Sequence, residues 1–243
     1  MSIKLGINID HAATLRNARG ENDPSLIEFA FECQKGGADS ITMHLREDRR
    51  HIRDEDIFLV KRHMKIPMNL EMAATKEMLD IALKLQPKSV CIVPEKREEI
   101  TTEGGLDIKG QFSVVKQITQ KLMENKIDVF IFVEPDVESV KISQDCGASG
   151  VELHTGAFAR SFFNSDTEKI QFEKIVSSAD FCKKGNFEFH AGHGLNYHNI
   201  YKLLKLKNLV EVNIGHAVIA RALYSGIYNA VHDMKQIICG NNV

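Results

Sequence analysis

The sequence predicts an α/β protein, a (β/α)8 barrel of the TIM type, built as a single domain over residues 1–243. Three observations carry this prediction. Short apolar runs alternate with amphipathic helical stretches along the whole chain. Eight such units follow one another at intervals of roughly 20–40 residues, long enough for parallel strands joined by crossover helices. Several of the runs are near-continuously apolar, which suits strands covered on both faces. A doubly wound sheet is the alternative. It would usually carry a glycine-rich phosphate fingerprint after the first strand, and Asn8-Ile9-Asp10-His11 has none.

Taken in order, the first strand is Lys4–Ile9, running into Asp10-His11 and an arginine-containing turn at Arg16–Gly20. Asp23-Pro24 opens a helix with Leu26, Ile27, Ala30 and Phe31 on its apolar positions, and Gly36-Gly37 stops it. Ser40–Leu45 is the second strand, followed by the cationic stretch Arg46–His51 and a helix from Asp54 to about His63. Pro67–Glu71 is the third strand; Thr75 caps the next helix, which ends before Pro87. Ser89–Val93 is the fourth strand, and Pro94–Gly110 is the longest stretch without periodicity. A helix over Phe112–Asn125 leads to the fifth strand, Val129–Val133; Asp136 caps a helix that Gly147 closes. Gly150–His154 is the sixth strand, and a loop Thr155–Asp166 carries Phe158, Phe162 and Phe163, candidate residues for packing between subunits. Helix Thr167–Lys184 precedes the seventh strand, Phe187–His190, and the turn Ala191-Gly192-His193-Gly194. A helix around Ile200–Leu206, an eighth strand Leu209–Ile214 and a C-terminal helix to about Cys239 complete the chain.

Composition excludes several function classes. An apolar content of 43%, a charged content of 26% and a net charge of −2 describe a globular protein with no basic excess for nucleic acid. No apolar run approaches the ~18 residues of a membrane span, and no signal peptide is expected, so a cytoplasmic location is predicted. Cys33, Cys91, Cys146, Cys182 and Cys239 are dispersed and odd in number, as buried reduced thiols are.

The chemistry is predicted at one face, where the C-terminal strand ends of a barrel converge. Those ends read Asn8, Asp10 and His11; His44 and Arg46; Glu71; Glu134; Glu152 and His154; His193; and Asn213, Gly215 and His216. A single polar strand end is ordinary solvated surface. A ring of imidazoles and carboxylates around one funnel is costly unless it is used. His44 and Glu71 lie on neighbouring strands and can share a proton, with their environments setting acid and base roles. His193 sits between two glycines, where the backbone can approach a ligand. Gly215-His216-Ala217 opens the last helix and offers an anion site; Arg19, Arg46 and His51 offer a second. Arg49 and Arg50 are read as a solvated charge run. No lysine stands directly at a strand end, so no Schiff base on the protein is expected. Without H-x-H or H-E-x-x-H no metal is expected, and no cofactor either. No G-x-S-x-G points to a serine hydrolase.

The chain closely resembles the pyridoxine 5'-phosphate synthase family of vitamin B6 biosynthesis. The resemblance rests on G-I-N-I-D-H-A-A-T-L-R-N-A-R-G, H-L-R-E-D-R-R-H-I, M-N-L-E-M, V-P-E-K-R-E-E-I-T-T-E-G-G-L-D, E-L-H-T-G, A-G-H-G-L-N-Y-H-N and V-N-I-G-H-A, spread from Gly6 to Ala217. It implies a (β/α)8 barrel with extra helices, assembled as a homo-octamer, a tetramer of dimers. It implies condensation of 1-deoxy-D-xylulose 5-phosphate with 3-amino-2-oxopropyl phosphate to pyridoxine 5'-phosphate, phosphate and water. It assigns His44 and Glu71 as proton acceptors, His193 as proton donor and Glu152 as a stabiliser of transition-state charge. Asn8, Arg19, Gly194, Gly215 and His216 would bind the aminoketone phosphate. Asp10, His11, Arg46, His51 and Thr101 would bind the deoxyxylulose phosphate. Pro94–Gly110, which carries Thr101, would act as a lid. An Asn usually stands in the family where this chain has His190, whose ring is expected beside His193.

Overall fold

A computed structural model describes residues 2–95 and 104–240. Eight parallel strands close into a barrel in sequence order. They are β1 (Lys4–Asn8), β2 (Ser40–His44), β3 (Met68–Met72), β4 (Ser89–Ile92), β5 (Asp128–Val133), β6 (Gly150–His154), β7 (Glu188–Gly192) and β8 (Leu209–Ile214). The circle closes where β1 pairs with β8, Leu5 lying opposite Val212.

Alternation along the strands divides the core in two. Leu5, Ile7, Ile41, Met43, Leu70, Val90, Ile131, Val151 and Val212 join the apolar layer shared with the surrounding helices. The alternate residues turn inward and most are polar. Ser40 Oγ donates to Glu211 Oε1 at 2.7 Å, Thr42 Oγ1 to Asn213 Oδ1 at 3.0 Å, and Asn213 Nδ2 to Glu152 Oε2 at 2.7 Å. These bonds reach past intervening strands, and two glycines make the room. A Cβ on Gly6 would lie 2.0 Å from Asn213 Oδ1, and one on Gly192 would lie 2.0 Å from Glu152 Oε1. Cys91, Val93, Phe130 and Phe132 form the small apolar cluster on the opposite side of the interior.

The connecting helices are α1 (Asp10–Arg19), α2 (Leu26–Gly36), α3 (Asp54–His63), α4 (Lys76–Leu85), α5 (Phe112–Glu124), α6 (Val137–Asp145), α7 (Gly156–Arg160), α8 (Ser165–Lys184), α9 (His216–Ser225) and α10 (Ile227–Ile238). The Thr75 and Asp136 caps form as expected, their side chains accepting from Met78 N and Ser139 N.

Four expectations change. The residues around Arg16–Gly20 are not a turn but the end of α1, closed by Gly20 in the left-handed region. The Thr155–Asp166 loop contains α7, and Phe158 is buried against Phe172 in the molecule's own core, so it is not a candidate for packing between subunits. The Ile200 segment is a 3-10 helix over Ile200–Lys205. The C-terminal helix is two, broken at Gly226, whose φ of 76° suits glycine.

Candidate active site

A cavity of about 820 Å³ opens at the C-terminal end of the barrel. Its walls bring together Asn8, Asp10, His11, His44, Arg46, His51, Glu71, Glu152, His193, Gly194, Gly215 and His216, every predicted site residue except Arg19 and Thr101. Arg19 lies at the far end of α1, exposed and paired with Glu21 at 3.4 Å. Thr101 and the middle of the predicted lid fall in 96–103, outside the described residues.

The centre of the site follows from strand register. His44 and Glu71 are direct partners across β2 and β3, so their side chains emerge together. Glu71 Oε2 lies 3.8 Å from His44 Nδ1, too long for a hydrogen bond but close enough for a small shift to join them. On the other side of the ring, His44 Nε2 is 2.9 Å from Glu95 Oε1. The imidazole thus stands between two carboxyl groups of opposite character. Burial pushes Glu71 well above the usual carboxylate range, and the charges of Asp10 and Glu152 add to the effect. Burial acts on Glu95 as well, but its bonds to His44 and to the Glu47 amide outweigh that and hold it low. An anionic Glu95 accepts the Nε2 proton and so fixes the tautomer, leaving the Nδ1 lone pair towards Glu71. Asp10 Oδ1 accepts from the His44 backbone N–H at 2.9 Å and anchors the strand end.

Glu152 lies deeper, 3% exposed. Burial raises its carboxyl to about 7, against the opposing pull of His190 and the Asn213 amide. His190 is not beside His193. It stacks on Phe130 with ring centroids 4.0 Å apart and places Nε2 3.0 Å from Glu188 Oε1, inside the barrel. The inward alternation of β7 puts residue 190 below the mouth, so its charge is felt by Glu152.

Two sets of groups on the cavity wall suit anions. In one, Gly215 and His216 begin α9, whose first-turn N–H groups and dipole favour negative charge. His193 and Gly194 line the same wall, with φ of 76° and 79°. A histidine held in the left-handed region is strained, as functional positions often are. A second set of anion-accepting side chains is Arg46 and His51, with Arg50 also on the wall, while the His11 ring lies 5.1 Å from that of His216. His51 Nδ1 accepts from the Ile52 amide at 2.9 Å, which leaves the Nε2 proton for a ligand. Burial lowers His51 and His11, favouring their neutral rings. Arg50 is therefore part of the wall rather than only a solvated charge. Arg49, also read as solvated, is half-buried and bonds Asp54 and Glu77 at 2.9 and 2.6 Å.

Asp10, His44 and Glu71 offer donor atoms within 4.8 Å of one another, the spacing of a cation site. Asp10 is engaged by the His44 amide through Oδ1, and burial raises Glu71 towards its neutral form, an arrangement that can also move protons. Among the described residues the cavity wall holds no lysine.

The family model described as "Pyridoxal phosphate biosynthesis protein PdxJ" matches residues 5–240. The chain belongs to this family. It is 46% identical over 236 residues to the pyridoxine 5'-phosphate synthase of Ehrlichia chaffeensis, covering 97% of each chain. It is 49% identical over 237 residues to that of Photobacterium profundum, covering 96% of each. Among solved structures, thiamine phosphate pyrophosphorylase from Pyrococcus furiosus aligns with a TM-score of 0.63 at 15% identity, over 98% of this chain and 96% of the other. Phosphoribosyl anthranilate isomerase from Thermus thermophilus aligns at 0.60 and 10%, over 97% and 100%. These last two share the barrel fold.

Sequence reasoning missed Glu95 in this member of the family. It lies beyond the end of an apolar strand, in a stretch of mixed charge, and no periodic signal marks it. A weaker signal was available for Glu134 and His154, both strand-end residues, which bond at 2.8 Å beside His193.

Proposed function

We propose that this family member is a pyridoxine 5'-phosphate synthase. It would condense 1-deoxy-D-xylulose 5-phosphate with 3-amino-2-oxopropyl phosphate, releasing phosphate and water. The observation that carries this reading is the row Glu95–His44–Glu71 at a cavity whose wall also carries two sets of anion-accepting groups, Gly215 with His216 and Arg46 with His51.

Two phosphate esters need two such sets. The set of Gly194, Gly215, His216 and Asn8 is assigned to the aminoketone phosphate, with Arg19 swinging from Glu21 to close on it. The set of Arg46 and His51, with Asp10, His11 and Thr101, is assigned to the deoxyxylulose phosphate. The substrate supplies its own amine for imine formation, so a wall without lysine among the described residues fits. Ring closure requires repeated proton transfer at carbon and oxygen. His44 takes a proton on Nδ1 while Glu95 holds Nε2. Glu71, once ionised, is the second acceptor. His193, lowered to about 4 chiefly by burial, is neutral at rest, so it first takes a proton from the condensing substrates and then donates it to the departing oxygen. Glu152, inside the mouth and titrating near neutrality, answers positive charge that develops on the imine nitrogen.

The same reading includes a cytoplasmic location and a homo-octamer built as a tetramer of dimers. Leu223 and Tyr224 at the end of α9, 73% and 92% exposed, and Phe163, 96% exposed, are apolar surface suited to subunit contacts.

The test is incubation of the purified protein with both phosphates and mass spectrometry of the products. Pyridoxine 5'-phosphate should form only when both are present. Turnover of one sugar phosphate alone would instead indicate an isomerase or epimerase. Saturable binding without any turnover would indicate a phosphosugar-binding protein.

A further inference from the structure

Glu134 follows directly on β5 and His154 ends β6, and neither has a part in the roles assigned above. Glu134 Oε1 lies 2.8 Å from His154 Nδ1. The same oxygen accepts from the Gly105 amide at 2.8 Å, so the carboxylate is fixed from two sides. The bond to His154 holds Glu134 below the usual carboxylate range, with the Gly105 amide helping against burial. An anionic Glu134 requires the His154 proton on Nδ1, which leaves the Nε2 lone pair open. That nitrogen is buried and has no hydrogen-bond partner, in a side chain only 2% exposed. A polar atom stranded in this way is costly unless something uses it.

Its neighbour is His193. The two rings are tilted at 59° with centroids 4.9 Å apart. Gly156, at the start of α7, closes the space between them. A Cβ there would stand 2.5 Å from His154 Nε2 and 3.0 Å from His193 Cδ2, so both atoms border one small gap that only a glycine leaves open. Thr155 secures the other side of the turn, donating its hydroxyl to the carbonyls of Gly192 and His193 at 2.8 and 2.7 Å. The backbone of His193 is therefore fixed, and the buried His154 ring lies beside its own.

We propose that His154, oriented by Glu134, is a positioning residue for His193: its Nε2 accepts the ring N–H that faces away from substrate, so that the other ring nitrogen faces the reacting oxygens with its lone pair, takes up a proton from the condensing substrates and passes it to the departing oxygen. The arrangement follows the general logic in which an acid or base is itself oriented by a third group. It rests on the synthase reading for the identity of the reacting oxygen, but not for the contact itself. Charged and titratable groups facing His193 are His154, Arg160, Glu134 and His11.

The test is nitrogen-15 NMR of the full-length protein with labelled histidine, with and without inorganic phosphate, beside steady-state kinetics. In the native protein His154 should carry its proton on Nδ1, and His193 should show one fixed tautomer when phosphate is bound. His154→Asn retains an amide donor for Glu134 but loses the Nε2 acceptor. His193 should then give tautomer-averaged shifts, kcat should fall at least about tenfold, and KM for both substrates should stay within about twofold. The pH-profile limb controlled by His193 should move as well. Unchanged His193 nitrogen shifts and an unchanged pH profile in His154→Asn would overturn the proposal. Should that variant not fold, Glu134→Ala, at a half-exposed position, removes the acceptor that fixes the His154 tautomer and is read by the same spectra with the same two outcomes. If the spectra change as expected while native protein makes no product, the synthase reading fails and the positioning role stands.

Discussion

At the scale of single residues, the account depends on how burial separates groups of the same chemical type. Glu71 and Glu95 are both carboxylates beside one imidazole. Glu71 is raised because it is buried among other acids; Glu95 is held low because a ring nitrogen and an amide satisfy it. The account expects Glu71→Gln to lower kcat by about 10²–10⁴ with the fold intact, since an amide neither accepts nor carries the proton. A fall smaller than about fivefold would remove Glu71 from the chemistry. Glu152 gives a stability prediction. Its carboxyl lies at about 7 in the folded chain, above the ordinary value of 4.5, so the neutral form favours folding. That contribution is complete below the ordinary value and is lost as pH rises through about 7. Native stability, measured by urea unfolding, should therefore drop by on the order of 3 kcal/mol between about pH 5 and about pH 9 from this group. Glu152→Gln should remove that drop. An equal drop in the variant would place its origin elsewhere.

At the scale of elements, the strands and most helices were legible because their period and caps agree. The α3 boundaries, Asp54–His63, match the expected ones, since acidic residues open the helix and basic residues close it. The first helix was not legible. It buries only Asp10, Ala12, Ala13 and Arg16, so it presents almost no apolar stripe. Its tie to the barrel is electrostatic instead. Arg16 holds Asp56 of α3 through two bonds of 2.7 and 2.9 Å, and also donates to the His51 carbonyl at 3.0 Å. Arg16→Ala would leave Asp56 buried without its cation. We expect a loss of about 3–5 kcal/mol in urea unfolding, accompanied by weaker phosphate binding because His51 loses its anchor. A loss under about 1 kcal/mol would show that α1 is held by other contacts. Glu95 and the pairing of Glu134 with His154 were hidden for a related reason. Each matters through a neighbour distant in sequence, and spacing along the chain does not report such contacts. The same holds for His190, whose strand position was readable but whose inward direction depends on the register of β7.

At the scale of the molecule, barrel closure turns strand ends from eight separate places into one wall. That outcome was predictable, because the regular succession of units leaves few other topologies. The polar interior was less predictable. Ser40, Thr42, Asn69, Glu152, His190, Glu211 and Asn213 are buried there, and they replace the branched apolar layers usual in such barrels. Assembly belongs to this scale too. Light scattering should give eight times the chain mass, and Tyr224→Asp should lower it if the exposed end of α9 is a subunit contact. An octamer unaffected by that change would assign the contact to another face.

The central claim is that one cavity grips two phosphate esters on either side of His44 and Glu71. The most direct measurement is a crystal structure of the protein with unreactive analogues of both substrates. The account predicts one phosphate against Gly215-His216 at the start of α9 and a second against Arg46 and His51, with the carbon skeletons meeting at the His44 ring. A single occupied site at saturating concentrations of both analogues, or phosphates bound outside this cavity, would contradict it.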